Sequence, residues 1–293
     1  MHRRALLVAF ACLFALAGSP VLAKPFASDR ITVRTEGVGS DVILIPGLTS
    51  GPDAWTYAVK GVPDHRYHLV QVKGFAGTAP DGNARGDLLD GVSSEIARYI
   101  VAAGLKKPAV IGHSMGGTIA LMIAARHPDA ISKVMVVDQV PFMGALFGPP
   151  GTTAQTIRPI ADAMLAAMRA ATPEARVKNL EQMTGAMVRN AAEKPRVIKS
   201  AVDSDRAVTE NTFHELIVTD LRPELPKITA PTEVIYVTPA GPHFTDAAID
   251  AGYAQFYKGL AGVTLTRAPD SAHFIMYDNP AFFHAAMKAF LAR

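Results

Sequence analysis

Ser114 is the residue whose surroundings most plainly suggest chemistry. It lies in Gly112-His113-Ser114-Met115-Gly116-Gly117, after the apolar run Ala109-Val110-Ile111 and before Thr118-Ile119-Ala120-Leu121. The order is a short buried strand, a turn of small residues and the start of a helix. A serine on such a strand-to-helix turn is held in a strained conformation with its hydroxyl pointing out of the sheet. Gly112 and Gly116, two residues to either side, let strand and helix approach without Cβ clashes. The helix N-terminus behind Ser114 offers unpaired N–H groups and a positive dipole end to an oxygen that gains negative charge.

A hydroxyl becomes a useful nucleophile only when a base takes its proton, and the base needs a third group to hold its tautomer. The base is expected on a loop after the last strand. His273, in Asp270-Ser271-Ala272-His273-Phe274, occupies that place. His113 adjoins the nucleophile, so its side chain is expected to point away from the reacting group and to be structural. Two carboxylates are candidates for the third group. Asp138 ends the apolar run Lys133-Val134-Met135-Val136-Val137, and Asp246 follows the run Val234-Ile235-Tyr236-Val237-Thr238. Both keep the chain order Ser, Asp, His; Asp138 is the expected acid and Asp246 the alternative. No histidines, aspartates or glutamates show a persuasive metal-ligand spacing, so neither a metal nor a cofactor is expected.

The elements that must position these residues alternate. Ile31–Arg34 reads as an edge strand, and Asp41–Ile45, Tyr67–Val72, Ala109–Ile111 and Lys133–Asp138 read as buried strands. A long amphipathic helix over Leu88–Val101 and the helix after Ser114 lie between them. From Pro141 to about Lys227 the chain turns Met- and Ala-rich, with helices expected at 161–171, 176–189, 194–207 and 211–219. Strand patterning returns at 231–238 and 263–267, with helices at 246–258 and 280–292. The fold class is therefore α/β: a mostly parallel sheet with helices on both faces and one inserted helical cap. The expected organisation is a signal peptide over 1–23, core over 24–140, cap over 141–228 and core again over 229–293.

With Pro46-Gly47-Leu48 after the first buried strand, Gly112 to Gly117 around the serine and Ser271-Ala272-His273-Phe274 near the end, the chain resembles the cap-containing α/β-hydrolases over nearly its whole mature length. The resemblance implies the α/β-hydrolase fold, a serine-hydrolase or esterase activity and an oxyanion hole formed by the backbone N–H groups of Leu48 and Met115. A serine rather than a carboxylate at the elbow argues against epoxide-hydrolase and haloalkane-dehalogenase chemistry. The substrate implied is a small ester-like molecule, apolar if the cap residues Phe142, Met143, Leu146, Phe147, Met164, Met168, Met183 and Met187 line the pocket with Trp55 and Phe75. An alternative is a non-catalytic protein of the same fold that binds a small apolar ligand.

Composition sets the frame. The chain has 293 residues, 49% of them hydrophobic and 19% charged, enough for one large well-packed domain. Met1-His2-Arg3-Arg4, the apolar run Ala5–Ala17 and the small-residue stretch to Ala23 have the anatomy of a secretory signal, so the protein is expected to be exported, periplasmic or secreted. Cleavage would remove Arg3 and Arg4 and take the net charge from +3 to +1, which gives no reason to expect nucleic acid. It would also remove the one cysteine, Cys12, and leave no stable membrane span. Nothing in the sequence sets an oligomeric state.

Overall fold

The computed structural model describes residues 26–293, so the signal-peptide assignment and Cys12 lie outside the described residues. Seven strands form one sheet in the order β1-β3-β2-β4-β5-β6-β7. They are β1 (Ile31–Glu36), β2 (Ser40–Ile45), β3 (His65–Val72), β4 (Ala109–His113), β5 (Lys133–Val137), β6 (Thr232–Tyr236) and β7 (Thr264–Arg267). Only β1, at the edge, runs antiparallel to its neighbour. The others pair in parallel, with Gly112 opposite Ile45 on one side and Val136 on the other. Such strands are covered on both faces, which explains runs such as Val-Ile-Leu-Ile in β2 without polar alternation.

Two layers bury the sheet. On one face α2 (Leu88–Ala102) and α3 (Met115–Arg126) pack on β-branched residues of β2, β4 and β5. On the other, α1 (Thr56–Gly61), α9 (Ile275–Asp278) and α10 (Pro280–Ala292) pack through Phe283, Met287 and Phe290. Trp55 and Phe75 are fully buried in these two layers and do not line the cavity described below, because each fills a gap between sheet and flanking segment. Among the described residues no helix is long and apolar enough to cross a membrane.

Between β5 and β6 lie four helices: α4 (Ala154–Ala170), α5 (Pro173–Ala186), α6 (Lys194–Asp203) and α7 (Arg206–Val218). Their ends differ from the sequence reading for local reasons. The first starts at Ala154 because Thr153 and Thr156 form a reciprocal capping box, and Pro159 is tolerated in the interior. The second starts at Pro173, a favoured first-turn position, behind the Thr172 cap. The helix expected over 194–207 stops at Asp203, since Asp205 turns extended and accepts from Val208 N to begin α7. The helix α8 (Asp246–Phe256) ends two residues earlier than Lys258.

The four-helix block is fastened to the sheet layers by polar contacts. Ser200 Oγ donates to Thr49 O at 2.6 Å, and Asp205 N donates to Gly74 O at 2.7 Å. Val208 packs on Gly74, whose φ of +94° and missing Cβ admit it at about van der Waals contact. Glu215 supplies the cap that Asp87 does not make. Its two oxygens accept from Leu88 N and Leu89 N at 2.9 Å each, at the first turn of α2.

Burial pushes the Glu215 carboxyl up from 4.5 to about 7, against the two amide donors and with help from Asp87 and Asp90. Ionising it is harder in the folded than in the unfolded chain. Its contribution to stability is therefore full below about pH 4.5 and lost as pH rises through about 7. Urea midpoints measured across that window should show wild type losing ground to Glu215→Gln as pH rises. A gap that stays constant with pH would show that this carboxyl is not desolvated.

Candidate active site

The strand order places the C-terminal ends of β2, β4, β5 and β6 side by side, and the site is built on the turns that leave them. Leaving β4, Ser114 adopts φ 51°, ψ −121°, outside the ordinary regions for an L-residue. The turn is held by Ser114 N donating to Val137 O at 2.9 Å and Gly117 N to Ser114 O at 2.7 Å. The flanking glycines are required by space. A Cβ on Gly112 would lie 2.0 Å from Gly116 O, and one on Gly116 would lie 2.2 Å from Ile45 O. Helix α3 can thus press against the ends of β2 and β4, with Ser114 at its N-cap position.

Asp138, leaving β5, also has a left-handed φ of 51°. Its Oδ2 lies 2.6 Å from His273 Nδ1, and its Oδ1 accepts from Val237 N and from the Tyr253 hydroxyl, each at 3.2 Å. The carboxylate is only 10% exposed in its side chain. With Nδ1–H donated to Asp138, the lone pair of His273 is on Nε2. Ser114, His273 and Asp138 line one cavity. The Ser114 hydroxyl has no protein hydrogen bond among the described residues. In free enzymes the serine–histidine contact is commonly long and tightens with substrate.

Asp246, the other carboxylate considered, sits elsewhere. It accepts from Thr238 Oγ1 at 2.6 Å and pairs with Arg267 at 2.7 Å at the start of α8. The turn after β2 brings Leu48 to the cavity, beside Thr49 at φ 61°. The N–H groups of Leu48 and Met115 have no protein acceptor among the described residues, and Met115 opens α3, where N–H groups are unpaired by geometry.

Two further residues support the site, and only the second, Tyr253, escaped the sequence reading. His113 is fully buried, and its Nε2–H donates to the backbone carbonyl of His273 at 2.9 Å. Its ring lies 4.6 Å from that of His273 and 4.7 Å from that of Phe274. It is structural as expected, but it braces the very loop that carries His273. Burial above all, and then the neighbouring His273, push its pKa well below the ordinary value, so it stays neutral. Tyr253 lies on α8, stacked on Tyr236 at 3.9 Å. Burial, with the Asp138 charge adding to it, pushes its phenol well above the ordinary value and keeps it a donor. One turn on, Tyr257 OH donates to Gln139 O at 2.7 Å, so α8 grips two consecutive residues. A pair of tyrosines four apart on a helix was the available signal.

The cavity is about 1020 Å³. Met143, Leu146, Met164, Met168, Met183 and Met187 line it, as the sequence suggested. Phe142 is instead buried among Ile157, Ala161 and Ile217, and Phe147 meets Phe213 at the surface. Among the described residues no group of three His, Cys, Asp or Glu side chains is placed to hold a metal ion.

A model of the Alpha/beta hydrolase family matches residues 42–286. The chain is 32% identical over 113 residues to a pimeloyl-[acyl-carrier protein] methyl ester esterase of Aliivibrio fischeri, covering 38% of this chain and 41% of that one. The match thus spans about two fifths of the relative's length. In structure the chain is similar to an esterase from Exiguobacterium antarcticum, with a TM-score of 0.73 and 23% identity, covering 90% of this chain and 96% of that one. A hydrolase from Pseudomonas aeruginosa gives a TM-score of 0.73 at 18% identity, over 90% and 94% of the two chains.

The close approach at the turn has a direct test. Gly116→Ala must push backbone against backbone, so the unfolding free energy should drop by about 3 kcal/mol, at the upper end of overpacking costs. Chemical denaturation would measure it. A variant as stable as wild type would mean that the turn is looser than described.

Proposed function

The chain belongs to the alpha/beta hydrolase family, and from that premise we propose that it is a serine hydrolase that cleaves a carboxylic ester of a small, largely apolar molecule. One observation carries the reading: a carboxylate, Asp138, bonded at 2.6 Å to the Nδ1 side of His273, on the cavity that also holds Ser114. The esterase-like relatives support the same reaction class. The basic and apolar residues before Lys24 support a periplasmic or secreted location.

In this reading Ser114 Oγ attacks the carbonyl carbon while His273 Nε2 takes its proton. Asp138 holds the imidazole in the Nδ1–H tautomer and stabilises the imidazolium that forms. The carbonyl oxygen gains charge between the N–H groups of Leu48 and Met115, where α3 contributes the positive end of its dipole. The intermediate collapses as the carbon–alkoxy bond breaks and His273 returns the proton to the leaving alcohol. Water, deprotonated by His273, then attacks the acyl carbon; the bond from that carbon to Ser114 Oγ breaks, His273 returns the proton to Oγ, and the carboxylic acid leaves. The three hydrogen bonds to Asp138, from an imidazole, an amide and a phenol, supply the fixed geometry that this sequence of proton transfers needs.

A fluorophosphonate probe should label the purified protein and leave Ser114→Ala unlabelled. With short aryl esters, Asp138→Asn should lower kcat by roughly 10³–10⁴, the scale seen when a triad acid is lost, while Asp246→Asn stays near wild type. Equal labelling of wild type and Ser114→Ala would end the proposal, and a greater loss from Asp246→Asn would move the acid.

Tyr253→Phe removes one of the three donors to Asp138 and leaves the ring stack. We expect kcat to fall severalfold with KM little changed. The acidic limb of the kcat/KM profile should move to higher pH, because a carboxylate relieved of one donor holds the imidazolium more strongly. An unchanged profile would show that the phenol is only a packing group.

A further inference from the structure

At the wall of the cavity that Ser114 also lines stands one buried carboxylate that the reaction does not use. Glu210, on α7, is 5% exposed and lines the cavity. Its Oε1 takes a hydrogen bond from Arg206 Nε at 2.8 Å. Among the described residues its Oε2 takes none. Nor is Oε2 among the fully enclosed unpaired side-chain atoms, which are Trp55 Nε1, His65 Nδ1, His113 Nδ1 and Thr212 Oγ1. It therefore keeps accessible surface, on a residue that lines the cavity.

Arg206 cannot turn to cover the second oxygen. Its Nη2 is committed to the carbonyls of Met168, Arg169 and Ala171, at 2.7, 2.9 and 3.0 Å, closing the C-terminal end of α4. Met168 and Ala171 themselves line the cavity, so the ion pair is part of its wall. Arg176 is also at this wall, with Nη2 donating to Ser204 O at 3.1 Å, and it makes no ion pair with Glu210. A carboxylate in contact with a guanidinium can only accept hydrogen bonds. Leaving an acceptor oxygen unpaired in a pocket of methionines and leucines costs free energy that a ligand donor recovers.

We propose that Glu210 Oε2 is a specificity subsite: the substrate carries, at the end remote from its scissile ester, a hydrogen-bond donor, either a hydroxyl or an ammonium group. The proposal rests on the hydrolase reading, with Ser114 on the same cavity. An apolar linker lies along the methionine wall, the ester reaches Ser114, and the donor reaches Glu210. The cavity volume of about 1020 Å³ is ample for such a two-ended molecule.

The test uses aryl esters in matched sets, with acyl chains of increasing length that end in methyl, hydroxyl or ammonium. The readout is the ratio of kcat/KM for a donor-ended ester to that for its methyl-ended partner, within one enzyme, so that loss of folded protein cancels. At one chain length wild type should prefer the donor-ended ester by about tenfold or more, the scale of a hydrogen bond to a charged group. Glu210→Gln should reduce the ratio and Glu210→Leu should abolish it. The hydroxyl and ammonium arms tell which donor the site takes. Equal ratios in wild type and both variants, or no donor preference at any length, would overturn the subsite. The same sets bound to Ser114→Ala, followed by calorimetry, should show the same preference in affinity. That arm keeps the two readings apart. Donor-selective binding without turnover in wild type would refute the hydrolase and keep the subsite, whereas turnover without selectivity would do the reverse.

Discussion

The parallel ladder joining β2, β4, β5 and β6 is the constraint from which the site follows. Its register sets Ile45 beside Gly112 and Gly112 beside Val136, so the turns that leave these strands emerge at one edge of the sheet. Residues distant in sequence are thereby brought within hydrogen-bond reach without any of them having to be long or mobile. Asp138 reaches His273 across 135 positions of chain, and the amide that holds its other oxygen belongs to Val237, just past the neighbouring strand. Slip any one strand by a residue and those groups would face the opposite layer.

Much of this was legible in the sequence, for reasons that differ by residue. The Ser114 turn could be read because its requirements are local: a buried strand, two glycines at fixed spacing and a helix. The closing helix could be read because Pro280 and the apolar pattern mark it. Asp138 could be preferred to Asp246 but not separated from it, since the choice depends on which strand end faces the late loop. That is a matter of sheet order. In the fold Asp246 is turned toward Thr238 and Arg267, and Asp138 toward His273. The break at Asp205 was missed because the helical periodicity on either side runs on, and only the side-chain cap to Val208 N interrupts it. Trp55 and Phe75 misled because size and aromaticity serve a core as well as a pocket.

The helical block illustrates a different balance. Its contacts with the sheet layers include many side-chain to backbone hydrogen bonds: Ser200 to Thr49, Glu215 to the first turn of α2, Arg196 to Asp53. Each is worth on the order of 1 kcal/mol in net terms, and each depends on direction. Apolar packing alone would let the block slide, whereas these bonds fix where its methionines meet the turn that bears Ser114. The cavity thus combines adaptable walls, made of thioether side chains, with anchoring points that do not adapt.

Ser114 and Asp138 both have φ near +51°, and with Thr49, Ala76, Asp81, Lys107 and Asp270 they are the non-glycine residues of positive φ among those described. Strain of this kind costs on the order of 1–3 kcal/mol per residue, which glycine would relieve at a smaller entropic penalty. A descendant of this chain released from its chemistry would therefore gain by drifting toward glycine at both positions. At these two positions the residues that carry the strain are also ones that line the cavity.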